Sequence, residues 1–540
     1  MPLSTPANTP HLGARDSIQA IDEQIKEHEK AGEHEKAIIR LKRTRNSLLN
    51  VSKLPPEVLG EIFCWNATFK GRFGGLEERS HNFLLVCHHW FEVASCTPEI
   101  WIFWGNVLKD WARRCPYSRT APLDLVLDGD AGDGDRPDAA LYNELQDRAI
   151  RDTIRRVHLK ANSSELLSSI ISSLTAKCEG TRTNSVESFV LYNWGSSPVD
   201  ISDFFAHYQF PKLRRLDTVE CTISLWDQLT LRTGALTVLG LHLRFSSHTP
   251  TMSQLLSILS SNPLLQKIAL NGRVIPQDDG DTSPVRVPLH NLKELELDGS
   301  PQNVIKLLHR LDHPRRMDGL TLTLDRCSVM EISQLLGPYL RGYIRGRGRS
   351  QYGLGLNVFF SETLGLHVGD VQGVNPLLRP MNSFLTISVA PNEPHHENAR
   401  GRAIFDLIMY VPKEEFTHFK TSGNCVTMGN IYPLFPNLRA LSFADMRLSA
   451  AFPEPDPGRD KEILLFLQHI FLQYPSVDNN NWSPLVTFLA CRRRTSFGNR
   501  LSTLEISGSP HMYPEVMETV GGMVRKFTIR YLVPSWYFFQ

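Results

Sequence analysis

A short apolar pattern recurs along most of this chain: a large apolar residue, two spacers, a second large apolar residue, one spacer and a third. It stands at Ile154/Val157/Leu159, Val186/Phe189/Leu191, Leu236/Leu239/Leu241, Leu265/Ile268/Leu270, Leu292/Leu295/Leu297 and Met317/Leu320/Leu322. Leu213/Leu216 with Cys221 is a related copy. Looser ones follow at Phe384/Ile387/Val389, Leu438/Leu441/Phe443, Leu501/Leu504/Ile506 and Val524/Phe527/Ile529. The early copies lie 23 to 32 residues apart. The alternating end of each copy predicts a short strand, and stretches such as 252–259 and 304–311 carry helical periodicity. One such unit leaves an apolar face bare, and neighbours stacked on either side cover it. The pattern therefore predicts an α/β solenoid, with parallel strands on one side and helices on the other. An ordinary leucine-rich α/β domain is the alternative, and eleven copies weigh against it.

A second constraint lies ahead of the repeats, at residues 54–101, a stretch dense in bulky apolar side chains. Pro55 and Pro56 suit the first turn of a helix, where no amide hydrogen is needed, and Glu57 then lies near the positive end of the dipole. Val58, Leu59, Ile62 and Phe63 recur at helical spacing and make one apolar face. After a break containing Gly71, Gly74 and Gly75, the pattern predicts a second helix over 82–94 whose only polar residues are Asn82, His88, His89 and Glu92. A surface helix ordinarily has a narrow apolar stripe and a wide polar face. Here the proportions are reversed. Phe83, Cys87, Trp90 and Ala94 form one ridge while Leu85, Val86 and Val93 point elsewhere, so cover must come either from the rest of the chain or from another polypeptide.

Leu54-Pro55-Pro56-Glu57, Ile62-Phe63, Leu85-Val86-Cys87 with Trp90, and Thr97-Pro98-Glu99-Ile100-Trp101 together resemble an F-box, in the F-box-like form abundant in mushroom-forming fungi. The resemblance covers the whole motif. It implies a small helical module that docks on a Skp-type adaptor and so joins a cullin-RING ubiquitin ligase. Leu54, Pro55, Leu59, Ile62, Leu85, Val86 and Trp90 fall where that family's docking and core residues lie; the resemblance offers them as adaptor-binding without separating those that dock from those that pack. This chain departs from the family in a glycine-rich insertion at 70–79 and in Cys96, which has no assigned role. The repeats in turn resemble the divergent leucine-rich repeats that often follow an F-box, although most copies lack the usual asparagine and the stretch between 326 and 436 is irregular.

The implied organisation is a disordered 1–15, a helical hairpin over 16–50, an F-box-like helical domain over 51–115 and a leucine-rich-repeat-like solenoid over 116–540. The implied role is that of a substrate-recognition subunit, cytoplasmic or nuclear, binding an unknown protein substrate. Such a subunit does no chemistry and needs no cofactor: it holds the substrate so that ubiquitin transfer becomes effectively intramolecular. The alternative is a non-enzymatic scaffold whose F-box-like helices only cap the solenoid. The sequence carries no P-loop, nucleophile elbow or zincin helix.

Composition narrows the partners. Lys and Arg number 58 against 57 Asp and Glu, so no global field draws nucleic acid or an anionic membrane. No run of 18 apolar residues is present, which argues against a membrane span. Nine cysteines without a CxxC pair suit a reducing compartment, and Cys64, Cys87, His88, His89 and Cys96 lack the paired spacing of a zinc site. Within 16–50, Ile18, Ile21 and Ile25 form one stripe and Ile38, Leu41 and Leu48 another, split by Gly32; neither sustains three heptads, so a hairpin is expected rather than a coiled-coil dimer. His28-Glu29 lacks a second histidine at position 32.

A helix is expected over 105–115 and a strand over 122–127. The acidic 128–138 segment lacks the ligand order of a calcium loop. Arg341, Arg345, Arg347 and Arg349 near Tyr339, Tyr343 and Tyr352 make a weaker case for single-stranded RNA. That segment is expected to be an exposed loop, as is 394–397. Arg492 to Ser496 has the form of a basophilic kinase site.

Overall fold

A computed structural model of the chain describes residues 14–31, 35–69, 84, 86–101, 103–104, 121–129, 145, 152–175, 182–183, 185–224, 226, 235–244, 249–276, 286–314, 317–327, 329–346, 354–360, 364–370, 382–391, 408–409, 411–422, 434–452, 466–475, 481–494, 501–508 and 512–530. Two compact units divide it, Met1–Leu213 and Arg214–Gln540. The fold is mixed α/β, with an amino-terminal helical portion and a large, mostly parallel sheet. Among the described residues no helix is long and apolar enough to cross a membrane.

The first unit opens with α1 (Ala14–Ala31) and α2 (Glu35–Ser47). Asp22 pairs with Arg45 at 2.5 Å and Glu29 with Lys42 at 3.1 Å. The later residue of α1 meets the earlier one of α2, so the helices run antiparallel as the expected hairpin. Exposed pairs of this kind contribute at most about 1 kcal/mol, and buried Ile25 supplies the apolar anchor. In α3 (Pro56–Phe69) the Pro55 carbonyl accepts the first helical bond from the Leu59 amide at 3.0 Å, which puts Pro56 at the position where its missing donor costs nothing.

The next helix, α4 (His88–Cys96), corrects the sequence reading, which starts it at Asn82. Cys87 is fully extended (φ −163°, ψ 167°), and a residue in that region cannot belong to a helical turn. Phe83, Leu85, the 70–79 insertion and the helix expected over 105–115 lie outside the described residues.

Four parallel strands follow: β1 (Phe103–Trp104), β2 (Leu123–Gly129), β3 (Ile154–Ala161) and β4 (Ser188–Asn193), each paired with the next. Their register puts Leu125 beside Val157 and Val157 beside Phe189, all buried, with Leu159 and Leu191 making a second such row. Helix α5 (Ser164–Thr175) packs on β3, and Leu167, Ile170, Ile171 and Leu174 are buried along it. Asn193 at the end of β4 is fully buried: its Nδ2 donates to the Ser197 carbonyl at 2.7 Å and its Oδ1 accepts from the Gly195 amide at 2.9 Å.

In the second unit β5 (Arg215–Val219), β6 (Val238–Leu243), β7 (Lys267–Gly272), β8 (Glu294–Gly299) and β9 (Gly319–Cys327) lie side by side in chain order, all parallel. Leu216, Leu239, Ile268, Leu295 and Leu320 align into one buried row, and Leu241, Leu270, Leu297 and Leu322 into the next. Helix α6 (Met252–Ser260) starts where Thr251 and Gln254 make a reciprocal capping box, and α7 (Pro301–Arg310) where the Ser300 hydroxyl caps the Asn303 amide ahead of Pro301.

The stretch flagged as irregular departs from parallel order. After α8 (Val329–Gly346) come β10 (Leu354–Phe360), β11 (Leu364–Asp370) and β12 (Asn382–Pro391), an antiparallel meander. It is laid down in reverse: β12 returns to pair with β9, while β10 takes the far side and pairs with β13 (Phe416–Ser422). Parallel chain order then resumes through β14 (Ala440–Ala444), β15 (His469–Gln473), β16 (Leu501–Ser507) and β17 (Val524–Arg530), with α9 (Ser483–Arg494) and α10 (Pro514–Met523) between the last three.

Two repeat assignments change. Leu320 pairs with Leu385 and Leu322 with Ile387, so the buried row passes through Leu385 and Ile387, two residues earlier than the Phe384/Ile387/Val389 copy implies. Leu467, Ile470 and Leu472 form a further copy that the sequence reading passes over; all three are buried, and the last two sit between Leu441/Phe443 and Leu504/Ile506.

Strand exits share one device. Glu220, Gly272, Asp445, Tyr474 and Gly508 are left-handed, with φ of 52°, 74°, 52°, 47° and 107°. Glu220, Asp445, Tyr474 and Gly508 donate their amides to the neighbouring strand at His242, Gln473, Ser507 and Arg530. At Gly272 a Cβ would lie 2.3 Å from the Leu243 carbonyl oxygen, so that exit admits only glycine without rearrangement.

Candidate docking face on the amino-terminal helices

A hydrophobic core around α3 and α4 consists of Leu59, Phe63, Val93, Ala94, Ile100 and Trp101, with Leu54, Cys64, Leu84 and Trp90 packed at its edge. Every one of these residues lies between 54 and 101. Trp90 meets Phe63 with ring centroids 5.1 Å apart. The Trp101 indole donates to the Ala94 carbonyl at 2.7 Å and the Thr97 hydroxyl to that of Val93 at 2.8 Å, tying the turn after α4 back onto the helix. Gly60 allows α3 to approach that turn, since a Cβ there would lie 3.0 Å from Thr97 Oγ1. Burial pushes the Cys64 thiol up to about 11, with Glu99 and Glu61 reinforcing it, so the thiol stays protonated.

The apolar face read from the sequence of α3 is in fact two faces. Leu59 and Phe63 point inward, 0% and 1% exposed, while Val58, Ile62 and Trp65 stand on the outer side at 44%, 46% and 68%. Positions i, i+4 and i+7 lie along one side of a helix, so these three form a ridge. Pro55 at its start and Val86 are exposed as well, and Phe91 is a further exposed aromatic on α4. Single exposed apolar residues are ordinary; successive ones along a helix mark a binding surface.

The seven residues singled out by the resemblance thus separate. Leu59 packs wholly inside, and Leu54 and Trp90 pack at the edge of the core with part of their surface outside. Pro55, Ile62 and Val86 face outward. Leu85 lies outside the described residues. Trp65 was not anticipated, although its spacing from Val58 and Ile62 is legible in the sequence.

Other expected sites change too. The Arg341 segment is not an exposed loop: residues 341–346 finish α8. Tyr343 is buried, its hydroxyl donating to the Met317 carbonyl at 3.4 Å, and Tyr339 is bonded to His313 Nε2 at 2.6 Å. Burial drives the Tyr339 hydroxyl well above its ordinary pKa. The buried Tyr343 ring offers no face for a base to stack on. Arg347, Arg349 and Tyr352 lie outside the described residues, as do 394–397 and most of 128–138. Of the kinase-like motif, Arg492 donates to the Leu467 carbonyl at 2.7 Å, and burial lowers its pKa to about 10; Thr495 and Ser496 are not described.

Compared with models of known protein families and with curated proteins, the chain finds no match in either.

Proposed function

We propose that the chain is a substrate-recognition subunit of a Skp-adaptor, F-box-type cullin-RING ubiquitin ligase, with the adaptor docking on the outer side of α3 and the repeats binding a protein substrate. The observation that carries this reading is the division of α3: among the described residues its core partners lie within 54–101, and the Val58/Ile62/Trp65 ridge is left outward. A helix whose inner face is already satisfied has no folding reason to hold three large apolar side chains in water. An adaptor would cover them.

The repeated strand–helix units, the left-handed strand exits and the buried Asn193 turn support the companion reading of a divergent leucine-rich-repeat-like solenoid interrupted by the β10–β12 meander. A standard-size adaptor interface would bury on the order of 1,600 Å², with a few anchors dominating.

Co-purification of the full chain with a Skp-type adaptor tests the proposal. A stoichiometric complex that survives Leu59→Val but is lost with Ile62→Asp is the expected result. No complex with the folded wild-type chain would leave the capping scaffold as the better reading.

A further inference from the structure

The turn that carries Val86 also closes one end of a second surface, distinct from the α3 ridge because the α1–α2 hairpin supplies most of it. Between the hairpin and residues 86–88 lies a cleft of about 550 Å³. Ile25, Ile39 and Val86 give it apolar walls, while Lys42, Arg43 and Arg45 stand around them. The size falls within the range of specific ligand sites, and the pairing of aliphatic walls with positive charge is selective.

Of the lining residues only Asp22 is acidic, and it is engaged by Arg45 at 2.5 Å. Lys42 reaches out to Glu29 at 3.1 Å. Arg43 is exposed and makes no ion pair among the described residues. Ile39 and Val86 are themselves exposed, so the walls are accessible as well as apolar. His88, on the same lining, turns Nδ1 toward Glu92 at 3.2 Å.

We infer that this cleft binds an acidic peptide segment of a partner protein, one that places a branched aliphatic side chain between Ile39 and Val86 and carboxylates against Arg43 and Lys42. Charge complementarity selects the occupant. A neutral apolar ligand would leave the arginine unanswered, and a second copy of the chain would bring an equally basic α2 against it. A bidentate carboxylate on the Arg43 guanidinium supplies orientation, and the aliphatic anchor supplies apolar burial.

Selection of a displayed random-peptide library on the full wild-type chain, counter-selected on an Ile39→Glu/Arg43→Glu variant, tests the inference. Both positions are exposed, so the variant keeps the hairpin; its helical content and melting temperature serve as the check. The expected consensus places Asp or Glu beside Ile, Leu or Val. A synthetic peptide of that consensus should bind at least about tenfold more tightly than its Gln/Asn counterpart and lose affinity as salt rises. Arg43→Glu alone should weaken it by a similar factor. No enriched peptide, a basic consensus, or equal binding by the variant would overturn the inference. So would concentration-dependent self-association relieved by Ile39→Glu, which would make the occupant a second copy. None of these readouts involves the adaptor, so failure here and failure of the ligase reading are separately visible.

Discussion

Neighbouring residues on α3 have opposite duties, and substitution should separate them. Leu59 is enclosed by the core, so Leu59→Ala removes buried carbon and leaves a void, costing about 2–5 kcal/mol. Ile62→Asp, on the outer side, should change stability by no more than about 0.5 kcal/mol. Urea unfolding followed by circular dichroism reads both, and equal losses would refute the two-sided helix. Gly60→Ala falls between them: its Cβ would press on Thr97 Oγ1, which is held by the Val93 carbonyl. A destabilisation of roughly 1 kcal/mol is expected, and that increment should vanish in a Thr97→Ala background, which removes the hydroxyl the Cβ meets.

A third residue-scale prediction concerns pH. His418 is held down to about 4, chiefly by burial, with His469 and Arg439 adding to the effect. Its folded pKa lies below its unfolded one, so neutral His418 contributes fully above about pH 6.5. That contribution is lost as pH falls toward 4, where the unfolded chain takes up a proton that the folded one refuses. The slope amounts to at most about 3 kcal/mol over that window. Denaturant midpoints at pH 7 and pH 4.5 should converge in His418→Gln.

At the scale of elements, the strand exits are the repeated joint. Gly272→Ala forces a Cβ against the Leu243 carbonyl at a backbone angle that L side chains avoid, and should cost roughly 1–3 kcal/mol by thermal melting. Little or no loss would mean the β7 exit is not fixed by its neighbour. Much of this level was legible in the sequence, because strands with one buried side impose a period of two and buried rows must align across neighbours. The apolar triads therefore found the strands, and the helical periodicity of 252–259 and 304–311 found α6 and α7. Topology is a different matter. Triads at β12 and β9 look alike whether the strands adjoin directly or through a reversed meander, since local periodicity carries no information on which strand pairs with which. The same limit explains α4: composition favours a helix from Asn82, but the extended backbone at Cys87 is invisible to periodicity.

For the whole molecule, the candidate face was legible as residues but not as sides. A helix with apolar residues at 58, 59, 62 and 63 gives no sign of which pair faces inward; only the positions of Val93, Ala94 and Trp101 decide it. The basic cleft was not legible at all, because Arg43 and Val86 are distant in sequence and meet only through the hairpin. The central claim is that the outer side of α3 is an adaptor surface. Calorimetric titration of a Skp-type adaptor into the full chain tests it most directly, with Ile62→Asp/Trp65→Ser beside a control at another exposed aromatic, Phe466→Ser. Tight wild-type binding, unchanged in the control and weakened about 30-fold or more in the α3 variant, is the predicted result; equal affinity in all three proteins would contradict it.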